Sequence, residues 1–467
     1  MKIAKKRKRG LSNIQIVVIA LVIIIIVGIL AYYLISSSRS TPTLTTTQQS
    51  TTSLTSPSTT NLKTYYIGVL LPLSGSLSSF GQAGEVVLSY GEQQVNQYLQ
   101  QVNASFRIKL VIEDTQSNPT RALQDIQDLY SQGIKLVIGP SLSSEANAIK
   151  QFTDQHNMIV FADITSPFVP TTNGSIYTII PTETDVGAVM ANIIWTQGIR
   201  VVAVIWRGDS YGDGVFYSFN KSFTSLGGIV VPAVRYDPSA SDFSNYVSIL
   251  ANTVSQLVNK YGQNKVGILA GSFDEVASIF EQASQYPVLK SVRWFGNDAI
   301  VLSQKVVQDS IAASFAVSVG GFLSPIFSPT RSSYYYSLLN YSSKVLGTPP
   351  VPDTYAMYDA LWIYVYSILK VGSDDPNLIR SYLVKIAENF FGASGYWNFD
   401  SNQRRIFVNY EFWTVNKTST GYQWMYVGYY TPMVGKIIYQ DQPIVTPPQN
   451  YLVPMDPYAV QKLSKIT

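Results

Sequence analysis

Cysteine is absent from the 467 residues, and histidine occurs once, at His156. That excludes a disulfide scaffold, thiol catalysis and any zinc site built from cysteines or several histidines, and no cofactor is expected. Charge is scarce as well, since Asp, Glu, Lys and Arg make up 13% of the chain. The formal net charge of +4 is unevenly placed: Lys2, Lys5, Lys6, Arg7, Lys8 and Arg9 stand together at one end, and the rest is close to neutral. A near-neutral body with its cations confined to one end argues against nucleic-acid binding. No nucleophile elbow, Walker loop or metal-ligand run occurs. His156 lies between a helical pattern and an apolar run, where a structural role fits better than general-base work. Enzymatic activity is not expected.

What the chain does have begins with a basic leader, residues 1–13, followed by residues 14–35, apolar except for Gln15. A helix of that length, rising about 1.5 Å per residue, spans a hydrocarbon core of roughly 30 Å. The basic flank comes first, so a transmembrane helix here leaves the leader in the cytoplasm and the rest outside. A cleaved secretory signal is the alternative, although the run exceeds a usual signal core and no small-residue cleavage site follows it. Lys8-Arg9-Gly10-Leu11-Ser12 resembles the cleavage site of archaeal pilin-like leaders, cut after the glycine, but the acid usual after that cut is missing. Residues 36–62, mostly Ser, Thr, Gln and Pro, have too little apolar surface to offset their ordering entropy and read as an extended stalk. Sequons at Asn103, Asn173, Asn220, Asn340 and Asn416 suit a glycosylated external domain.

From Tyr65 to about Tyr430, short apolar runs alternate with amphipathic ones. Strands are expected over 66–71, 108–112, 135–139, 158–161, 201–206, 229–236, 266–270 and 292–295, with helical patterns between them. Repeated strand–helix alternation predicts parallel sheets covered on both faces, and the number of strands suggests two doubly wound α/β lobes.

Several segments in order resemble the branched-chain amino-acid-binding (Leu/Ile/Val) family of type I periplasmic binding proteins. They are Ile67 to Gly75 with Phe80-Gly81-Gln82, Val111 to Ser117, Val137-Ile138-Gly139-Pro140 with Ser141 to Ser144, Asp209-Ser210-Tyr211-Gly212, Tyr355 to Ala360, and Gly395 to Asp400. The resemblance implies two lobes joined by a three-stranded hinge. Lobe one is then 65–182 plus 311–400, lobe two 183–310 plus 401–430, with crossings near Pro181, within 298–310 and near Asp400. The Pro-rich tail, 431–467, departs from the family and would wrap a lobe or meet a partner.

In open parallel sheets ligands bind beyond the carboxyl ends of strands. Ser141 to Ser144 stand there, and serine hydroxyls with free N–H groups at a helix N-terminus suit a carboxylate. Plain helix capping is the other reading. The resemblance implies that this loop holds a ligand α-carboxylate, with Ser143 and Ser144 as the contacts. It also implies that Thr165 meets the head group and that the Asp163 carbonyl accepts from an ammonium. The family has a small residue at Asp163, so this side chain either alters the pocket or caps a turn. Phe80 would pack on the ligand and Tyr211 would close over it. Phe273 stands where the family often has tyrosine. Asp298 would pair with the ligand ammonium, the alternative being a turn aspartate. The function so implied is the solute-binding component of an ABC importer that passes an amino acid, amide or related solute to ABC permease subunits. A sensing ectodomain and a surface structural protein are the alternatives.

Overall fold

A computed structural model describes residues 62–467, apart from 167, 407, 432 and 433. The expected leader, membrane helix and nearly all of the stalk lie outside the described residues. Among the described residues no helix is long and apolar enough to cross a membrane.

The first lobe is built on five parallel strands in the order β2-β1-β3-β4-β5: β1 (Lys63–Leu71), β2 (Phe106–Asp114), β3 (Leu136–Ile138), β4 (Ile159–Ala162) and β5 (Ile176–Thr178). Helices α1 (Ser78–Gln101), α2 (Pro119–Ser131) and α3 (Ser143–Gln155) connect the first four strands. The α2 start follows from its sequence. Asn118 accepts from the N–H groups of Thr120 and Arg121, and Pro119 occupies the first turn, where its missing N–H costs nothing.

After β5 the chain enters α4 (Glu183–Thr196) and a second parallel sheet, β7-β6-β8-β9. Its strands are β6 (Val201–Arg207), β7 (Ile229–Tyr236), β8 (Val266–Gly271) and β9 (Arg293–Phe295). Between them run α5 (Ser210–Ser225), α6 (Ser244–Tyr261), α7 (Val276–Ala283) and the short α8 (Pro287–Lys290). Strands β6 and β8 are buried along their whole length, so they read as unbroken apolar runs, as a sheet covered on both faces requires.

Two expectations about the lobes need correction. Helices α9 (Gln304–Gln308) and α10 (Ser310–Ser318) stay with the second lobe. The apolar face of α10 puts Phe315 5.1 Å from Phe280 of α7 and 5.4 Å from Trp294 of β9, between ring centroids. Strand β10 (Ser324–Ser328) then pairs antiparallel with β11 (Asn409–Thr418), which forms a hairpin with β12 (Gly421–Tyr430). The second crossing therefore falls between Ser328 and α11 (Ser333–Leu346), not within 298–310, and α11 returns to pack on α1, with Tyr341 stacked 4.0 Å from Tyr90. Helices α12 (Thr354–Val371) and α13 (Pro376–Glu388) complete the first lobe. Tyr364 of the buried α12 donates to the carbonyls of Val137 and Ile159, fixing that helix to the sheet.

The second correction concerns the three-stranded hinge. The tail adds a fourth crossing. It leaves the second lobe as β13 (Ile437–Ile438), paired with β12, and Val445 then donates its N–H to the Arg331 carbonyl at 2.7 Å. Leu452 exchanges backbone bonds with Asn389 and Phe391, and α14 (Ala459–Lys465) packs on α12, which ends the chain on the first lobe.

Candidate functional site

The carboxyl ends of β3 and β4 deliver two loops to the gap between the lobes. Gly139 leaves β3 at φ +91°, and a Cβ there would strike the Leu70 carbonyl, so only glycine makes this turn. The chain continues through Ser141 into α3. Its N-cap is Leu142, and no side chain caps the helix. The Ser141 and Ser143 hydroxyls are buried without a partner. Capping is thus not what these serines do. They and the first-turn N–H groups of α3 form an anion-receptive end. Ser144 does not reach the cavity described below, so of the expected serine pair only Ser143 does, and Ser141 takes the other place.

From β4 come Asp163, Ile164 and Thr165. Asp163 is 2% exposed, and neither carboxylate oxygen has a partner. It caps no turn, so the pocket-altering alternative is the one the geometry supports. Thr165 donates its hydroxyl to Glu183 Oε1 at 2.9 Å, which leaves only oxygen lone pairs for a ligand.

The second lobe supplies the facing wall. Asp209 caps α5 by accepting from the Gly212 N–H, and Gly212 is needed because a Cβ would overlap the Arg207 carbonyl. This turn places Tyr211, whose hydroxyl donates to Asp298 Oδ1 and accepts from Asn297 Nδ2. Phe273 packs beside the Tyr211 ring, 4.9 Å between centroids, and carries the Arg207 guanidinium 3.8 Å from its ring centre. Arg207 is held by Asp209 and Glu275, each at 2.6 Å. Asp298 opens the short turn after β9 and is 5% exposed.

Phe80, Ser143, Asp163, Thr165, Tyr211, Phe273 and Asp298 all line one small cavity between the lobes, about 20 Å³ in volume, with room for little more than one water molecule. Leu77, Ile164, Ile180 and Ala299 add apolar wall. Sequence reasoning missed two acids. Asp353 lines the same cavity from the start of α12, with Oδ1 unpartnered. Glu183, first residue of α4, sits behind Thr165 with Oε2 unpartnered. Asp353 stands two residues before the Tyr355–Ala360 segment, so that segment was the available signal.

Burial is the main cause that raises the carboxyl pKa of all four acids above the ordinary range. The Asp298 charge adds to the rise at Asp163, Glu183 and Asp353. At Asp298 itself, the Tyr211 hydroxyl opposes the rise by stabilising the ionised form. Among the described residues no group of His, Cys, Asp or Glu is arranged to hold a metal ion.

The lobes are closed over this cavity. Asp274 of the second lobe donates its N–H to the Ser76 carbonyl at 2.9 Å and accepts from the Ser79 hydroxyl at 3.0 Å. Ser79 Oγ in turn accepts from the Gln304 N–H, and Lys305 reaches the Gly75 carbonyl.

Two doubly wound lobes shut on a shared cavity define a two-lobed ligand-binding protein. Residues 88–418 match the family described as the receptor family ligand binding region, and the chain belongs to that family. An uncharacterized protein of Methanocaldococcus jannaschii is 28% identical over 405 residues, covering 82% of this chain and 93% of that one. Similar solved structures include a leucine-binding protein of Thermotoga maritima (TM-score 0.65, 21% identity, 79% of this chain and 99% of that one). Another is a branched-chain amino acid transporter substrate-binding protein of Streptococcus pneumoniae with isoleucine (0.60, 17%, 78% and 100%). A third is an ABC-transporter solute-binding protein of R. palustris with benzoate (0.62, 15%, 78% and 95%). The fold is the type I periplasmic binding fold of the branched-chain amino-acid-binding proteins.

Proposed function

We propose that this chain is the solute-capturing component of an ABC importer, that it binds a small amino-acid-like ligand between its lobes, and that it catalyses no reaction. The carrying observation is that residues from both lobes, arriving from distant parts of the sequence, line one small cavity, which a ligand would widen by parting the lobes. The Ser141–Ser143 end with the α3 N-terminus receives a carboxylate, and Asp298, oriented by Tyr211, receives an ammonium. A ligand that bridges the two walls favours the closed state, in which a permease would read the joined surface of both lobes. In this reading residues 14–35 hold the protein in the membrane with the binding domain outside. Of the five sequons, Asn103, Asn173, Asn340 and Asn416 are exposed, as glycosylation would require.

The test is calorimetry together with thermal-shift screening of the full chain against amino acids, amides and small organic acids. A saturable response with a rise in melting temperature is expected from at least one amino acid. Silence across the whole set would end this reading. The family description, which names receptors, favours a second reading as a sensing ectodomain. Closure would be the signal there too, and co-purification with a kinase instead of a permease would select it.

A further inference from the structure

Asp298 accounts for one ligand ammonium, yet the cavity wall carries more negative groups than one ammonium uses. Asp163 presents two carboxylate oxygens without any partner, and Asp353 presents one. Both residues are more than nine-tenths buried. Among the described residues, none of the ion pairs includes Asp163, Asp298, Asp353 or Glu183. The nearby guanidinium of Arg405 spends its terminal nitrogens on the Ile179 and Tyr396 carbonyls and on the Ser394 hydroxyl. Buried carboxylates left unpaired are costly and persist where a partner arrives to meet them.

Building on the amino-acid reading above, we propose that the ligand is a basic amino acid, whose side-chain ammonium or guanidinium is received by Asp163 and Asp353. Its α-carboxylate lies at Ser141 and Ser143, and its α-ammonium at Asp298. Phe80 and Phe273, both on the cavity wall, cover the aliphatic stem between the charged ends. A neutral branched-chain ligand would leave Asp163 buried without a counter-charge and Asp353 with only the guanidinium charge of Arg405 nearby. It would be disfavoured for the reason that truncating one partner of a buried charge pair is.

The experiment is isothermal titration of the full chain with ornithine, lysine and arginine, and with leucine, norleucine and putrescine for comparison. At least one basic amino acid is expected to bind about 100-fold tighter than leucine or norleucine. Asp163→Asn should reduce that ratio at least tenfold. The substitution keeps the shape and removes an unpaired charge, so a melting temperature at or above wild type should show that the variant folds. Asp353→Asn is the second variant, with the same expected loss of ratio. Norleucine or leucine binding as tightly as lysine would overturn the inference and leave amino-acid capture standing. Putrescine matching ornithine would overturn it too, because the carboxylate end would contribute nothing. Failure of every amino acid to bind would overturn both this inference and the amino-acid reading beneath it.

Discussion

Tyr211 is the residue through which the second lobe orients its acid. Its hydroxyl takes a hydrogen bond from Asn297 and gives one to Asp298, so the carboxylate arrives in the cavity already fixed. Tyr211→Phe removes a hydrogen bond to a charged group, an interaction worth about 1.5–3 kcal/mol. The bond is already made in the free protein, so its loss should lower the melting temperature, and amino-acid affinity should fall as the Asp298 carboxylate loses its fixed orientation; unchanged affinity by calorimetry would remove Tyr211 from the site. Asp298→Asn separates charge from shape. It should weaken an amino acid far more than an uncharged amide, since breaking a buried charge pair costs about 2–5 kcal/mol. At this scale the sequence was legible where a residue stands inside a recognisable ordered segment, as Ser143 and Tyr211 do. It was ambiguous at Asp163, because an acid after a strand serves a turn or a pocket equally well, and only the two unpartnered oxygens decide between them. Asp353 and Glu183 were missed for a related reason. Each stands at a helix start, where an acid reads as a cap, yet neither α12 nor α4 has a side-chain cap bond.

Closure depends on two short elements, the turn from Gly75 to Leu77 with the first turn of α1 and the Asp274 turn after β8, with Ser303 to Lys305 beside them. Ser303 donates to Asp274 Oδ1 from the same lobe, while Ser79 donates to Oδ2 from the other. The latch thus forms only when the lobes meet. Ser79→Ala loses two interlobe hydrogen bonds, one given to Asp274 and one taken from the Gln304 N–H. At about 1 kcal/mol each, the closed state should weaken by roughly 2 kcal/mol. Ligand release measured by stopped flow should accelerate about tenfold or more, with binding-pocket selectivity unaltered; release at the wild-type rate would show that the latch does not hold the lobes. Strands such as β6 and β8 were plain in the sequence because burial on both faces writes them as continuous apolar runs. The fate of α9 and α10 was not. Their lobe is set by contacts such as Phe315 against Phe280 and Trp294, which are tertiary and leave no local periodic mark.

Over the whole molecule, the unusual quantity is the amount of buried carboxylate. Beyond the four acids around the cavity, burial pushes Glu145 up to about 8 and Asp359 up to about 6, the latter despite hydrogen bonds from Ala393 and Ser394. A carboxyl whose folded-state pKa is raised binds more protons folded than unfolded. Its contribution to stability is whole below the unfolded value, near 4, and fades as pH climbs through the folded value. Asp114, Asp154 and Asp400, hydrogen-bonded and with pKa values below the ordinary range, act in the opposite sense and give up stability as pH drops through their lowered folded values. The two sets together place the stability maximum of the free protein on the acid side of neutrality. Melting temperature should then decline from pH 5 to pH 8, a span in which ordinary surface carboxylates do not titrate. A cationic ligand pairs with the ionised cavity acids, so the ligand-induced rise in melting temperature should be greater at pH 8 than at pH 5. A free protein whose melting temperature climbs steadily to pH 8 would mean that these buried acids are neutralised within the chain. The tail joins the lobes, with Leu452 and Leu463 buried against the first lobe and β13 paired in the second. A fourth connection of this kind restricts how far the lobes can part, and with that how far water reaches the cavity acids when the cleft opens. The pH dependence of the free protein should thus persist in the open state, damped only to the extent that the tail lets Asp163 and Asp353 meet solvent.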